Sequence, residues 1–238
     1  MSRHPLLRAL DLLRFVGRHE RGTLVLLFLI STGLWAFVEI ADEVLEQDTE
    51  SFDRAVLLAL RSPDDPADPI GPRWFEEAVR DVTALGGVAV VGFLTLAVTG
   101  FLVLEGKTHA AGFVVVAVLG GWLLSVGLKE YVGRPRPALV PHSTHVMSES
   151  FPSGHSLISA VAYLTLGALV ARTHPMLTVK AYALVLATLV TLLVGSSRVY
   201  LGVHWPTDVL AGWALGGSWA LLCWLAAAWL QRRGRLER

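Results

Sequence analysis

The sequence has one cysteine, little charge and no net charge. Cys223 lies in an apolar run, so an intrachain disulfide framework and a cysteine-rich metal site are both excluded. Charged residues make up 17% of the 238 positions, against about 25% in ordinary soluble chains. Twenty Lys and Arg balance twenty Asp and Glu. That balance leaves no basic field to hold nucleic acid and no acidic tail to act as a solvating segment. What fills the chain is apolar: the hydrophobic set reaches 53%, and glycine raises it to about 62%, above the roughly 45–50% of globular chains. Mean hydropathy is +0.55, and eight tryptophans fall mostly at the edges of apolar runs. Such a composition implies a polytopic membrane protein and excludes a disordered or collagen-like chain.

Six apolar runs have bilayer-spanning length, at about 23–40, 84–104, 109–128, 155–172, 177–196 and 207–230. The expected fold is all-α: six transmembrane helices in one bundle, with the whole of 1–238 forming a single integral-membrane domain. The first run follows a charged segment and lacks a small-residue cleavage site after it, so it reads as a retained span. The longest hydrophilic stretch, 41–83, is too short to read as an independent fold. Within it Phe52, Val56, Leu57 and Leu60 recur at helical spacing, as do Trp74, Ala78 and Val82. Two short amphipathic helices are expected there, either lying on the membrane interface or packed on the bundle mouth.

Lys and Arg on alternate sides of the six spans number twelve and eight, with the larger share on the side of both termini. The positive-inside bias therefore places both termini in the cytoplasm and the 41–83 loop outside. With that orientation, four span ends meet on the extracytoplasmic side, and they hold most of the unusual polar residues. Span 3 finishes in Lys129 to Pro137, span 4 is preceded by Phe151-Pro152-Ser153-Gly154-His155, span 5 finishes at Ser197-Arg198, and span 6 is introduced by His204 to Asp208.

Each of these residues alone reads as an interfacial anchor, and so do His142 and His145. Convergence changes the reading. Lys129, Arg136 and Arg198, joined by hydroxyl donors, form a site for a compact, multiply charged anion such as phosphate. Arginine offers a planar fork for two parallel hydrogen bonds, and lysine a mobile point charge. Ser153-Gly154-His155 opens a helix, whose free N–H groups and dipole favour an anion, and Gly154 lets the backbone approach closely.

An anion site alone has no use for histidines. His204 and Asp208 are four apart and are expected to share one helical face, with Pro206 suited to the first turn of that helix. The carboxylate can accept a proton from one ring nitrogen, leaving the other free as a nucleophile toward phosphorus. His155, across the site, has an intrinsic pKa suited to protonating a leaving oxygen.

These residues resemble the three-part signature of the type 2 phosphatidic acid phosphatase superfamily. Its K-x6-R-P, P-S-G-H and S-R-x5-H-x3-D elements match Lys129 to Arg136-Pro137, Pro152 to His155, and Ser197-Arg198 to His204 to Asp208, without a substitution. The tandem Arg134-Pro135-Arg136-Pro137 offers two arginines, of which only Arg136 is in the family register. The resemblance implies a metal-independent membrane phosphatase needing no cofactor, with His204 the nucleophile, Asp208 its orienting partner and His155 the general acid; the cluster of N-terminal arginines, with no acidic or Cys-rich extracytoplasmic module, suggests a bacterial source. Lys129, Arg136, Ser153, Gly154 and Arg198 would hold the phosphoryl oxygens. The related vanadate-dependent haloperoxidases share the anion pocket but are soluble, which this composition contradicts.

The expected substrate is a lipid phosphate in the outer leaflet of the cytoplasmic membrane: a polyprenyl diphosphate, phosphatidic acid or phosphatidylglycerol-phosphate. Selectivity is expected from 141–149 and 41–83, which should line the mouth. A lipid phosphotransferase using the same phosphohistidine, and a non-catalytic lipid-binding or transport protein, are the competing readings. Oligomeric state stays open, although Gly120, Gly121, Gly212, Gly216 and Gly217 would permit close helix contacts.

Overall fold

The computed structural model describes the backbone of residues 5–138 and 148–232 and the side chains of 21–138 and 148–230. His142, His145 and most of 141–149 lie outside these residues, as do the side chains of Arg3, Arg8, Arg14, Arg18, Arg232, Arg233, Arg235 and Arg238. The described residues form helices and no strand. In chain order they are α1 (Pro5–Glu46), α2 (Glu50–Ala59), α3 (Arg73–Ala84), α4 (Val88–Leu104), α5 (Thr108–Val132), α6 (Gly154–Thr173), α7 (Leu177–Tyr200) and α8 (Pro206–Arg232).

Five helical segments are long and apolar enough to cross a bilayer: Arg21–Glu46, Thr108–Val132, Gly154–Thr173, Leu177–Tyr200 and Pro206–Leu230. The remaining run, expected as one helix over 84–104, differs. Its helix α4 has 17 residues, about 25 Å of rise, short of the roughly 30 Å hydrocarbon core. It completes a span only together with α3, from which it is bent by 47°. The break falls at Leu85-Gly86-Gly87. Gly86 is needed there for close approach, because a Cβ on it would stand 2.4 Å from Val194 Cγ1 and 3.2 Å from the His155 carbonyl oxygen.

Between helices in lipid there is little hydrophobic driving force, so association depends on close contact of small residues. Helix α6 is the centre of the bundle and packs on α5, α7 and α8. Half of its apolar window is buried, against 6% for α1, whose main neighbour is α8. The α6–α8 contact is tightest at Gly212 and Gly216. A Cβ on Gly212 would lie 2.8 Å from the Ser153 carbonyl, and one on Gly216 would lie 2.5 Å from that of Leu157. Gly120 and Gly121 likewise meet Trp219 and Val161 of the same chain, whereas Gly217 faces open space. Leu157, Val161 and Leu215 form the core between these helices, with Val91 and Ala117.

Both expected amphipathic helices are present. Helix α2 is seated on the bundle by Leu57, fully buried among Val199, Val209 and Trp213. Helix α3 packs on α7 through Phe75, edge-on to Tyr200, and leaves Trp74 exposed. The loop joining α2 to α3 is pinned to the end of α7. Arg61 Nη2 donates to the Tyr200 carbonyl at 2.7 Å, and Tyr200 Oη donates to that of Ile70 at 2.8 Å. The C-terminal ends of α5 and α7 and the N-terminal ends of α6 and α8 thereby meet at one end of the bundle.

Candidate active site

Each of these four helix ends is shaped by its local sequence. Gly133 closes α5 in the left-handed conformation, φ 63°, returning its N–H to the Lys129 carbonyl at 3.0 Å. The two prolines that follow keep residues 134–137 out of the helix, so the two arginines leave the backbone as separate branches. At α6, Ser153 is the N-cap, its Oγ accepting from the Ser156 N–H and hydroxyl. The Ser153 N–H donates to the Asp208 carbonyl at 3.0 Å and ties the start of α6 to that of α8.

The pairing of His204 and Asp208 holds, although not on one face of a helix. α8 begins at Pro206, and His204 lies in the preceding turn. Asp208 instead reaches back across the helix start, accepting from the Trp205 N–H at 2.9 Å as the acidic residue of a capping box does. The same oxygen, Oδ2, lies 3.3 Å from His204 Nδ1 and accepts from the Ser150 hydroxyl. On the other side of the ring, Arg136 Nη1 stands 3.1 Å from His204 Nε2. A guanidinium can only donate. Nε2 therefore accepts, the ring proton sits on Nδ1 facing Asp208, and the Nε2 lone pair is directed at the cationic side of the site. His204 is 2% exposed, and this burial, outweighing the opposing pull of Asp208, lowers its pKa to about 3. Burial therefore favours the neutral imidazole.

A cavity of about 480 Å³ opens in front of Nε2. Its lining combines the cations Lys129, Arg136 and Arg198 and the histidines His155 and His204 with apolar Trp122, Val126, Ile158 and Val88. Lys129 donates to the Glu149 carbonyl across the mouth. Arg136 is held by the carbonyls of Ser148 and Val203, at 2.7 and 2.5 Å, and burial lowers its pKa. Arg198 is 3% exposed and is aimed by Thr83, whose Oγ1 accepts from Nη1 at 3.1 Å. Its buried Nε has no partner among the described residues. A buried guanidinium donor left unpaired is costly, and an anionic oxygen in the cavity would satisfy it.

A family model described as the PAP2 superfamily matches residues 110–232, over half of the chain. The chain belongs to the PAP2 superfamily. Among its relatives, phosphatidylglycerophosphatase B of Bacillus subtilis is 37% identical over 145 residues, 60% of this chain and 70% of that protein. Undecaprenyl-diphosphatase of Sulfolobus acidocaldarius is 34% identical over 139 residues, 53% of this chain and 60% of its own length. The crystal structure of a transmembrane PAP2-type phosphatidylglycerolphosphate phosphatase from Bacillus subtilis superposes with a TM-score of 0.76 at 28% identity. That superposition covers 86% of this chain and 98% of the other. The protein is thus a PAP2-type lipid phosphatase built as a polytopic membrane helix bundle.

Within this PAP2 frame, the expected site residues converge, with two placed behind the cavity. Asp208 is fully buried behind His204. Ser153 is also fully buried, and its hydroxyl is committed to the helix cap, so the start of α6 is presented to the cavity by Gly154 and His155. Sequence reasoning missed Thr83, Ser150 and Asp53. Asp53 carried a signal: it lies four residues before Leu57, on the face of α2 that the apolar spacing assigns to the interior. No group of three or more His, Cys, Asp or Glu among the described residues is arranged to hold a metal ion.

Proposed function

We propose that this PAP2 phosphatase hydrolyses the phosphate or diphosphate ester of a membrane lipid through a phosphohistidine on His204. The observation that carries the reading is the placement of the His204 ring, with Nδ1 3.3 Å from Asp208 Oδ2 and Nε2 3.1 Å from Arg136 Nη1. In the first step Nε2 attacks phosphorus, the bond from phosphorus to the leaving oxygen breaks, and His155 supplies the proton that oxygen needs. In the second, His155 takes a proton from water, whose oxygen attacks phosphorus. The P–N bond then breaks, phosphate leaves and the neutral imidazole returns. Lys129, Arg136 and Arg198 bear the charge that develops on the equatorial oxygens, supported by the N-terminus of α6 at Gly154.

The shape of the cavity supports a lipid substrate. Its cations take the phosphoryl group, while Val88, an apolar residue of the same lining at the start of α4, is 73% exposed. The Lys and Arg distribution supports cytoplasmic termini and a site serving the outer leaflet of the cytoplasmic membrane. Polyprenyl diphosphate, phosphatidic acid and phosphatidylglycerol-phosphate are the candidate substrates, the first and last in keeping with the names of the relatives.

The test is phosphate release by the purified protein in EDTA from each of these lipids, alongside His204→Ala. Release abolished by the substitution supports the reading and ranks the substrates. Release that persists in His204→Ala refutes the nucleophile assignment, and no release from any lipid refutes the hydrolase.

A further inference from the structure

Behind the carboxylate that orients His204 lies a second charged layer. Arg134, the other arginine of the tandem, does not reach the cavity. Its Nη1 donates to Asp208 Oδ1 at 2.7 Å and to Thr207 Oγ1 at 2.9 Å. Its Nη2 donates to Asp53 Oδ2 at 2.7 Å and to Thr49 Oγ1 at 3.1 Å. Asp53, on α2, is fully buried and accepts from the Thr207 N–H at 2.9 Å and from its hydroxyl at 2.6 Å. One carboxylate therefore grips the first turn of α8 and the guanidinium together. The Arg134 side chain is 13% exposed and lies 5.5 Å over the Trp205 ring.

Charge explains why two carboxylates share one arginine. Among the described residues Arg134 is the one Lys or Arg ion-paired with either carboxylate, so it offsets one of the two negative charges. When Nε2 bonds to phosphorus, the His204 ring becomes cationic, and that charge appears 3.3 Å from Asp208. If Asp53 did not share the guanidinium, Arg134 would belong to Asp208 alone and weaken its hold on the ring. Without Arg134, Oδ1 would lose the donor that fixes the carboxylate plane.

Resting on the proposed role of His204, we propose that Arg134 and Asp53 are positioning residues for Asp208. Helix α2, in the connection between the first two spans, thereby forms part of the catalytic machinery. They act through Asp208 and touch no substrate. The cations that hold the phosphoryl group belong to a separate set, so the proposal separates turnover from binding.

The test compares Arg134→Gln, Asp53→Asn and Thr49→Val with wild type in detergent, measuring kcat, KM and the number of orthovanadate ions bound per chain at saturation. We expect kcat to fall roughly 100-fold in Arg134→Gln, the scale of a small misplacement of a reacting group, and roughly tenfold in Asp53→Asn. KM and vanadate stoichiometry should stay unchanged. Vanadate binding that falls in step with kcat would reduce the pair to a fold-supporting role and overturn the proposal, as would full activity in both variants. If the two charge variants do not fold, Thr49→Val decides: it keeps every charge and removes one hydrogen bond from Arg134. A severalfold fall in its kcat supports the proposal, and wild-type turnover refutes it. A wild type that releases no phosphate would instead defeat the hydrolase reading, so the two failures are distinguishable.

Discussion

Replacing Asp208 by Asn tests the electrostatics of the site most directly. Three donors converge on Oδ2: His204 Nδ1, the Ser150 hydroxyl and the Trp205 N–H. The amide oxygen will take that position and turn its NH2 toward Arg134 Nη1, a donor facing a donor. The ring keeps its tautomer, because Arg136 still requires an acceptor at Nε2. What disappears is the negative charge 3.3 Å from a ring that becomes cationic on phosphorylation. At an effective dielectric of about 20, unit charges at that separation attract by about 5 kcal/mol, which is between 10³- and 10⁴-fold in rate. Arg134 offsets part of this, so kcat should fall by roughly 10³-fold. The substitution also sets two donors against each other beside Arg134, which keeps its pairing with Asp53, a buried defect of about 1–3 kcal/mol. Turnover must therefore be expressed per vanadate-binding chain. The decisive assay is the single-turnover rate of enzyme phosphorylation with radiolabelled substrate. A loss smaller than tenfold would mean that Asp208 does not stabilise charge on His204.

Three further outcomes follow from the same geometry. In Gly216→Ala, the new Cβ meets the Leu157 carbonyl at 2.5 Å and must push α6 from α8, costing about 1–3 kcal/mol. The melting temperature in detergent should fall together with activity, and an unchanged value would refute the close packing. Orthovanadate, which can adopt the trigonal-bipyramidal geometry of phosphoryl transfer, should inhibit, whereas EDTA should not. EDTA inhibition reversed by Mg²⁺ would contradict the reaction proposed. Because burial disfavours the imidazolium of His204, acidification from pH 7 to 5 should leave its ring neutral in ¹⁵N spectra, assigned by comparison with His204→Ala. A midpoint near the ordinary value of about 6.5 would refute this.

Much of this molecule was legible in the sequence because the constraints involved are local. Runs of bilayer length force helices, since backbone groups in lipid must pair within their own segment. Alternation of spans then brings the ends bearing Lys129, His155, Arg198 and His204 to one side. Motif spacing identified the pairing of His204 with Asp208, even though a capping box, and not a shared helix face, makes the contact.

Tertiary structure decided what depends on residues far apart in the chain. Motif register set Arg136 apart from Arg134, one proline away, but gave Arg134 no partner. Only the approach of α2 gives Arg134 its second carboxylate, 81 residues away, while Arg136 meets the His204 ring. Within the hydrophilic stretch 41–83, Asp53 is fully buried because Leu57 seats that face of α2 on α7 and α8. The bend before α4 reflects the same limit. Two glycines mark a place where a helix can break, but it is the crowding of Val194 and His155 against Gly86 that makes the break part of the site. Helical periodicity and charge are written residue by residue, whereas the partner of a buried charge is fixed only when the packed helices leave it one place to go.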